Sequence, residues 1–184
     1  IDRDETRKLR AYARELASAG MRKISRLVAE IFTSEAGVGP ILADEENLFN
    51  LEAVTVKGGH ANLANLALNA GNWDVVSARV YAQPMLVKNA AGFFGCGPQM
   101  AVNPKFLLVP RALQRTAMEI CTGSFVREAD YVYDNVLKGS AVPLVVPEWT
   151  DANDWAAVCD PRVAPAIFVG ERFGIAPEIF IAGD

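Results

Sequence analysis

The first 33 residues place apolar side chains at the spacing of an amphipathic helix. From Asp4 to about Phe32 these side chains recur at intervals of three, four and their sums, the period of a helix with one apolar face. Such a helix would be about 40 Å long, more than a compact domain of this size can cover. Part of it is expected to project or to meet another subunit. The apolar positions are Leu9, Tyr12, Ala13, Leu16, Ile24, Leu27, Val28 and Ile31.

The predicted helix has one weak point and is followed by a loop. Gly20 costs a helix interior about 1 kcal/mol relative to alanine, so a bend or an early end is expected there. Residues 34–59 contain several glycines, a proline and the acidic run Asp44-Glu45-Glu46, with no sustained period. They predict a connecting loop with at most one short strand, at Ala53–Val56.

A second helical pattern follows the segment His60-Ala61-Asn62-Leu63. Asn72 is placed to cap its N-terminus, and Pro84 is expected to end it because proline does not continue a helix. The stretch from Gly92 to Pro98 then predicts a glycine-rich turn. The apolar side chains expected on one side of the second helix are Trp73, Val76, Val80 and Tyr81.

The second half of the chain alternates short apolar runs with turns. Phe106–Val109, between two prolines, predicts a buried central strand. Pro110 is placed to begin a third helix, from Arg111 to about Cys121. Its inward-facing residues would be Leu113, Ala117 and Ile120. Later strands are close enough for antiparallel pairing, so the predicted class is α+β. They are expected at Leu144–Val146, Ala156–Val158, Ala166–Val169 and Pro177–Ala182.

The composition is that of an ordinary folded protein. Hydrophobic residues make up 51% of the 184 residues and charged residues 22%, which indicates neither disorder nor a fibrous repeat. The net charge is −4, but residues 1–33 hold eight Lys/Arg against five Asp/Glu, and the remainder ten against seventeen. A uniformly basic nucleic-acid binder is excluded, because such proteins rely on many cationic contacts with phosphates.

Few side chains are arranged for chemistry. His60 is the only histidine, and neither a G-x-S-x-G elbow nor an H-E-x-x-H helix accompanies it. We expect it to hold a nearby loop by hydrogen bonds. The glycines of residues 92–97 lack the spacing of a dinucleotide loop. Three cysteines without C-x-x-C spacing predict reduced, partly buried thiols rather than a zinc site or a disulfide framework. These are Cys96, Cys121 and Cys159.

Charged residues leave two other functions open. The run Asp44-Glu45-Glu46, or Asp151 with Asp154, would suit a paired-acid hydrolase if an apolar pocket raised one pKa. The alternatives are solvated loop acids or a weak cation site. Four arginines fall within about 60° of one another on the first helix. They would contact phosphate, be solvated or pair with acids of a neighbouring molecule. This arginine stripe consists of Arg3, Arg7, Arg10 and Arg14.

Four segments between about residues 60 and 170 form an ordered series. They are His60-Ala61-Asn62-Leu63, the run Asn103-Pro104-Lys105-Phe106-Leu107-Leu108-Val109-Pro110-Arg111-Ala112-Leu113 followed by Ala117, Leu144-Val145-Val146-Pro147-Glu148, and Trp155-Ala156-Ala157-Val158-Cys159-Asp160-Pro161. In order and spacing they resemble blocks of the major capsid (head) proteins of tailed phages and prophages. The first is similar to an element of the Mu-like and protease-fused branches of that family.

The resemblance implies the fold of the Hong Kong phage capsid protein. That fold has a long spine helix and a β-ribbon in a peripheral domain, and a mixed α/β axial domain. Residues 1–33 would form the spine helix, residues 34–59 a connecting loop and residues 60–184 most of the axial domain, with the fold truncated at both ends. The resemblance implies no catalytic, cofactor-binding or metal-binding residues.

The function implied by the resemblance is structural, that of a subunit of an icosahedral shell that encloses DNA. The protein would not be an enzyme, would assemble in the bacterial host cytoplasm and would reside in the virion. Its partners would be copies of itself in pentamers and hexamers, double-stranded DNA as a loose neighbour, and a scaffold or maturation protease, but no membrane. Two alternatives remain open: a DNA-associated adaptor module, or a hydrolase that uses scattered carboxylates or His60.

Overall fold

The computed structural model describes residues 3–88, 94–127, 132–165, 167–168 and 170. The strand expected at Pro177–Ala182 lies outside these ranges, as do Gly92 and Phe93 and two residues of the strand expected at 166–169. Residues 167 and 168, between those two, are not in a strand. No helix in the described part of the chain is long and apolar enough to cross a bilayer.

The first helix, α1 (Arg3–Gly37), ends its regular part where the pattern predicts. Ser34 has an extended ψ of 153°, and Glu35 and Ala36 have φ angles of 50° and 58°. Helical geometry therefore stops after Thr33. The expected bend or stop at Gly20 is wrong, because the helix continues through it. A single glycine costs only about 1 kcal/mol, and the turns on both sides favour continuing the helix.

The second helix, α2 (Ala70–Ala82), begins earlier than predicted. Its N-cap is Asn69, whose side chain accepts a 2.8 Å hydrogen bond from the Asn72 N–H. The predicted cap, Asn72, is therefore a donor in the first turn. The predicted end before Pro84 is confirmed. Trp73 is fully buried, but Tyr81 is exposed, so only part of the expected apolar side is covered.

A two-stranded antiparallel ribbon replaces the predicted glycine-rich turn. It pairs β1 (Pro84–Lys88) with β2 (Phe94–Gln99). A Cβ on Gly97 would lie 2.4 Å from Cγ2 of Val87 and 2.8 Å from the carbonyl oxygen of Met85. This glycine thus serves the close approach of two strands, an alternative role of glycine to a turn.

The central sheet contains three strands. In it β3 (Phe106–Val109) lies between β6 (Val142–Val145), which runs parallel to it, and β7 (Ala156–Val158), which runs antiparallel. The predicted buried central strand is confirmed, since Leu107 and Val109 are fully buried. Of the later strands within the described residues, β6 and β7 each pair with β3 and not with each other, because a central strand offers hydrogen-bonding edges on both sides.

Between β3 and β6 the chain forms a helix and a hairpin. A 3-10 turn (Arg111–Leu113) leads into α3 (Gln114–Cys121), close to the predicted third helix. The strands β4 (Phe125–Arg127) and β5 (Val132–Asp134) then pair antiparallel. The sequence pattern did not predict this hairpin, because strands of three residues are too short to show alternation.

The core lies where α2 and α3 cover the central sheet, and the predicted α+β class is confirmed. The buried cluster comprises Leu68, Trp73, Leu107, Val109, Ala117, Ile120, Cys121 and Ala141. The short strand expected at Ala53–Val56 is wrong, since residues 54–58 form turns and a bend. These residues have no partner strand with which to form a ladder. Turn hydrogen bonds hold the segment instead, from the Val56 N–H to the Ala53 carbonyl oxygen at 2.9 Å and from the Gly59 N–H to the Val56 carbonyl oxygen at 3.0 Å.

Candidate functional site

His60 ties together the loop between α1 and α2. Its ring Nδ1 lies 3.0 Å from the carbonyl oxygen of Asn47 and 3.1 Å from that of Leu48, so this nitrogen donates a hydrogen bond to them. The ring Nε2 lies 3.0 Å from Oδ2 of Asp44, a contact that becomes an ion pair when the ring is protonated. The predicted loop-holding role of His60 is confirmed.

Two asparagines complete this arrangement. Oδ1 of Asn50 accepts a 2.8 Å hydrogen bond from the His60 N–H. Oδ1 of Asn62 accepts a 3.0 Å bond from the Asn50 N–H, and its Nδ2 donates to the Leu48 carbonyl oxygen at 2.8 Å. We call Asp44, Asn50, His60 and Asn62 the loop clamp. It orders a segment that lacks regular structure because side chains supply hydrogen-bond partners for its backbone.

The charge of Asp44 matters to the clamp. Partial burial acts to raise its pKa, but hydrogen bonds from the Glu46 N–H and from His60, with the charge of His60, hold the pKa below its ordinary value. The ionised carboxylate is thus the form that the folded loop favours. The acidic run is therefore not uniformly solvated, since one of its three carboxylates is a hydrogen-bond partner of His60.

Three segments of the ordered series contribute the strands of the central sheet, β3, β6 and β7. Nζ of Lys105, just before β3, lies 2.5 Å from Oδ2 of Asp160, just after β7, and this contact is the main cause that lowers the pKa of Asp160. Nε1 of Trp155 donates to the Leu66 carbonyl oxygen at 2.7 Å. The same indole packs against Trp73 with ring centroids 6.3 Å apart. These contacts join the segments that contain β3 and β7 and pack Trp155 against the core.

The helix α1 is fastened near its C-terminal end by aromatic residues. Nε1 of Trp149 donates to the Ala29 carbonyl oxygen at 3.2 Å, and the Trp149 ring lies 5.6 Å from the ring of Phe32. Phe32 also stacks on Phe49 at 5.6 Å. The burial of Trp149 was not predicted, because this residue follows β6 in a loop where no periodicity marks a buried residue.

The opposite side of α1 carries apolar side chains that the chain itself leaves exposed. Tyr12, Leu16 and Leu27 are 63%, 58% and 49% exposed. At 100° per residue they fall within about 60° of one another, with the exposed Lys23 among them. We call these four residues the outer face of α1. The apolar pattern that predicted the helix therefore includes a stripe that stays uncovered in the single chain.

We call residues 41–56, the segment that the loop clamp holds, the clamped loop. It also exposes apolar side chains. Ile41 and Leu51 are each 68% exposed, and Leu42 and Val56 are 38% and 54% exposed. Exposed side chains of this kind on an ordered loop are typical of contact surfaces. The loop places them beside three exposed carboxylates of Glu45, Glu46 and Glu52.

The second acidic candidate lies in an open depression. Glu148, Asp151 and Asp154 line it together with the C-terminal end of α1. Burial, and then the charge of Asp151, raises the pKa of Asp154. Asp151 also accepts a 2.8 Å hydrogen bond from the Asn153 N–H. The structure thus brings these two acids together, in a surface depression rather than an enclosed apolar pocket.

The cysteines are all free, as predicted. Burial raises the pKa of the Cys121 and Cys159 thiols, which keeps both protonated at neutral pH. Cys96, on β2, is exposed, so the expectation of partial burial is wrong for this one. In the described ranges no group of three His, Cys, Asp or Glu side chains could hold a metal ion.

The arginine stripe is described only at its end. The side chains of Arg3, Arg7 and Arg10 lie outside the described part of the structure, and Arg14 is exposed on α1. Further along the helix, Arg26 forms a 2.7 Å ion pair with Glu30. The described positive charges of α1 are thus on the surface.

A comparison with protein families finds one that covers nearly the whole chain. A family model with the description "phage capsid protein" matches residues 1–182. Comparisons with curated proteins and with solved structures find no match.

Proposed function

The chain belongs to the phage capsid protein family, and we propose that it builds an icosahedral head of the kind found in tailed phages and prophages. As a member of the family it is a structural subunit of the head shell and not an enzyme. It therefore works in the virion, by self-assembly with copies of itself. Three of the four segments that resemble tailed-phage blocks contribute strands to one sheet, and this supports the narrower assignment.

In this proposal residues 1–33 are the spine helix of a peripheral domain. One observation carries the proposal: α1 is fastened at Ala29 and Phe32, while Tyr12 and Leu16 remain more than half exposed. An amphipathic helix whose apolar stripe is uncovered gains stability when a neighbour covers it. Projection of a long helix is thus useful in a shell and costly in an isolated monomer.

Residues 34–59 are proposed as the connection and residues 60–184 as most of an axial domain. The compact sheet around Leu107 and Val109 supports this division, since it folds around its own buried cluster. Such a domain would meet its neighbours around the five-fold and six-fold axes, in pentamers and hexamers. Many modest contacts repeated by symmetry would then stabilise the closed shell.

Double-stranded DNA is proposed as a loose neighbour only. The net charge of −4 opposes tight, sequence-independent binding to phosphates, which depends on a surplus of cations. A scaffold or a maturation protease would assist assembly in the bacterial host cytoplasm. The functions that sequence analysis left open, an adaptor and a hydrolase, are superseded by the family assignment.

Electron microscopy tests the proposal. The parent protein is expressed with its neighbouring genes, and particles are purified by sedimentation and imaged after negative staining. We expect closed shells, or rings of five and six subunits. A matched culture that expresses Leu107→Asp, which places a charge in the fully buried centre of β3, should give none. A wild-type protein that is folded yet monomeric under all these conditions contradicts the proposal.

A further inference from the structure

We propose that the outer face of α1 in one copy docks against the clamped loop, residues 41–56, of a second copy. This inference rests on the proposed shell function and adds the two surfaces that would meet. Both surfaces belong to the same chain but differ from each other. The contact is therefore heterologous, the type that generates closed rings when the rotation between subunits closes.

The outer face of α1 and the clamped loop are complementary in apolar character. The outer face of α1 exposes three large apolar side chains of the helix, and the loop exposes four, among them Ile41 and Leu51 at 68% each. Burying apolar side chains of this size removes them from water and stabilises the contact. Neither group is covered within the chain, so each has surface to lose on docking.

The helix and the clamped loop also carry opposite net charges. Residues 11–33 of α1 contain four Lys/Arg against two Asp/Glu, whereas the clamped loop, residues 41–56, contains four Asp/Glu and no Lys/Arg. Lys23 is exposed within the outer face, and Glu45 and Glu52 are exposed on the loop. Opposite charges around an apolar centre favour encounter and fix register.

The backbone of the clamped loop is also already ordered within the single chain. The clamp holds the backbone through His60 and Asn62, and the Ile41 and Asn47 backbones form a bridge. A surface that is already ordered loses less conformational entropy on binding. The clamp therefore gives an irregular segment the rigidity that an interface between rigid subunits requires.

Crosslinking of mixed proteins tests the contact. One protein carries Leu16→Cys and the other Leu51→Cys, both with Cys96→Ser to remove the exposed native thiol, and with tags of different mass. The proteins are purified separately, mixed under assembly conditions and treated with a short bismaleimide, to which one thiol of each adds. We expect a mixed dimer in the mixture and little dimer in either protein alone.

Three controls decide what the result means. The Cys96→Ser parent should give no dimer, and Leu16→Cys mixed with Val136→Cys, whose native side chain is 91% exposed, should give little. A dimer from Leu16→Cys alone overturns the inference in favour of helix pairing. Absence of the mixed dimer in protein that forms particles overturns the inference and leaves the shell function intact. Protein that forms no particles and gives no mixed dimer contradicts both.

Charge reversal gives an independent check. Lys23→Glu and Glu45→Lys should each weaken self-association about tenfold, the effect of losing one favourable charge pair at an interface. Mixing the two variants should restore it, because each reversed helix then meets a reversed loop and each native helix a native loop. Sedimentation velocity measures the association. Failure of the mixture to recover contradicts the proposed contact.

Discussion

Single polar side chains in this protein replace backbone partners that secondary structure would otherwise supply. Asn135 is 8% exposed, and its Nδ2 donates to the carbonyl oxygens of Ile120 at 2.8 Å and Gly123 at 3.0 Å. Its Oδ1 accepts a 3.0 Å bond from the Leu137 N–H. One amide thus satisfies the end of α3 and the turn after β5. Burial of a polar group is tolerated because its bonds are made.

The Asp44 carboxylate should make the clamp sensitive to acid. Its folded pKa lies below the unfolded value of 3.8, so its stabilising effect is present above pH 3.8 and is lost as the pH falls through the folded pKa. Asp44→Asn keeps the shape and removes the charge. We expect a loss of roughly 0.5 kcal/mol at pH 7, the low end for one intramolecular hydrogen bond, because the carboxylate is partly exposed.

Chemical denaturation at a series of pH values measures this effect. The free energy of unfolding of Asp44→Asn should approach that of the parent as the pH falls below the folded pKa of Asp44. Glu45→Gln, on a neighbouring exposed carboxylate, is the matched control and should show little difference at any pH. A gap between Asp44→Asn and the parent that is the same in acid and at neutral pH would contradict the proposed role.

At the scale of elements, two predictions that were based on glycine positions were wrong. Gly20 was expected to interrupt α1 and does not, since the helix continues through it. The glycines after Pro84 were expected to form a turn, but Gly95 and Gly97 lie within β2. Glycine marks either freedom or close approach, and only the neighbouring strand decides which one applies.

Gly97→Ala should therefore destabilise the ribbon. The new Cβ would lie 2.8 Å from the Met85 carbonyl oxygen, a backbone atom that moves only if the pairing shifts. Overpacking of this kind costs about 1–3 kcal/mol. Hydrogen exchange should show faster exchange of the ribbon amides. In the control Gly71→Ala, where a Cβ meets nothing closer than 3.5 Å, those amides should exchange as in the parent. Unchanged ribbon exchange in Gly97→Ala would contradict the close approach.

At the scale of the whole molecule, a compact sheet domain is joined to a long helix through few contacts. Trp149 is 5% exposed and binds the Ala29 carbonyl oxygen of α1. Phe49, from the clamped loop, reaches the same helix through Phe32. The direction of α1 relative to the sheet therefore depends on this aromatic group. In the proposed contact between copies, that direction would decide which neighbour the outer face meets.

Trp149 substitutions should separate these contributions. Trp149→Phe keeps an aromatic ring near Phe32 and loses one hydrogen bond, at a cost of about 1 kcal/mol. Trp149→Ala also leaves a cavity, at a cost of about 3–5 kcal/mol. Thermal melting measures both, and sedimentation measures assembly. Equal melting temperatures for Trp149→Ala and the parent would show that the indole does not fasten the helix.

Much of the fold was predictable because periodicity reports burial directly. The end of the regular part of α1 near Thr33, the buried strand at Phe106–Val109 and the helix that follows Pro110 all agree with their patterns. The hairpin β4–β5 and the N-cap Asn69 were missed, because three-residue strands show no period and two asparagines three positions apart, Asn69 and Asn72, are both suitable caps. His60 was correctly expected to hold a loop, but its partners Asp44 and Asn50 could not be named.

By itself, the sequence determined the helix, the central strand, the α+β class and the resemblance to capsid proteins, since these follow from spacing and residue order. Only the tertiary structure decided which apolar residues are covered. Leu107 and Leu27 are equally apolar, yet Leu107 is buried and Leu27 is about half exposed. A hydrophobic period shows that a face seeks cover, but whether the cover comes from the same chain or from a neighbour depends on how distant segments pack.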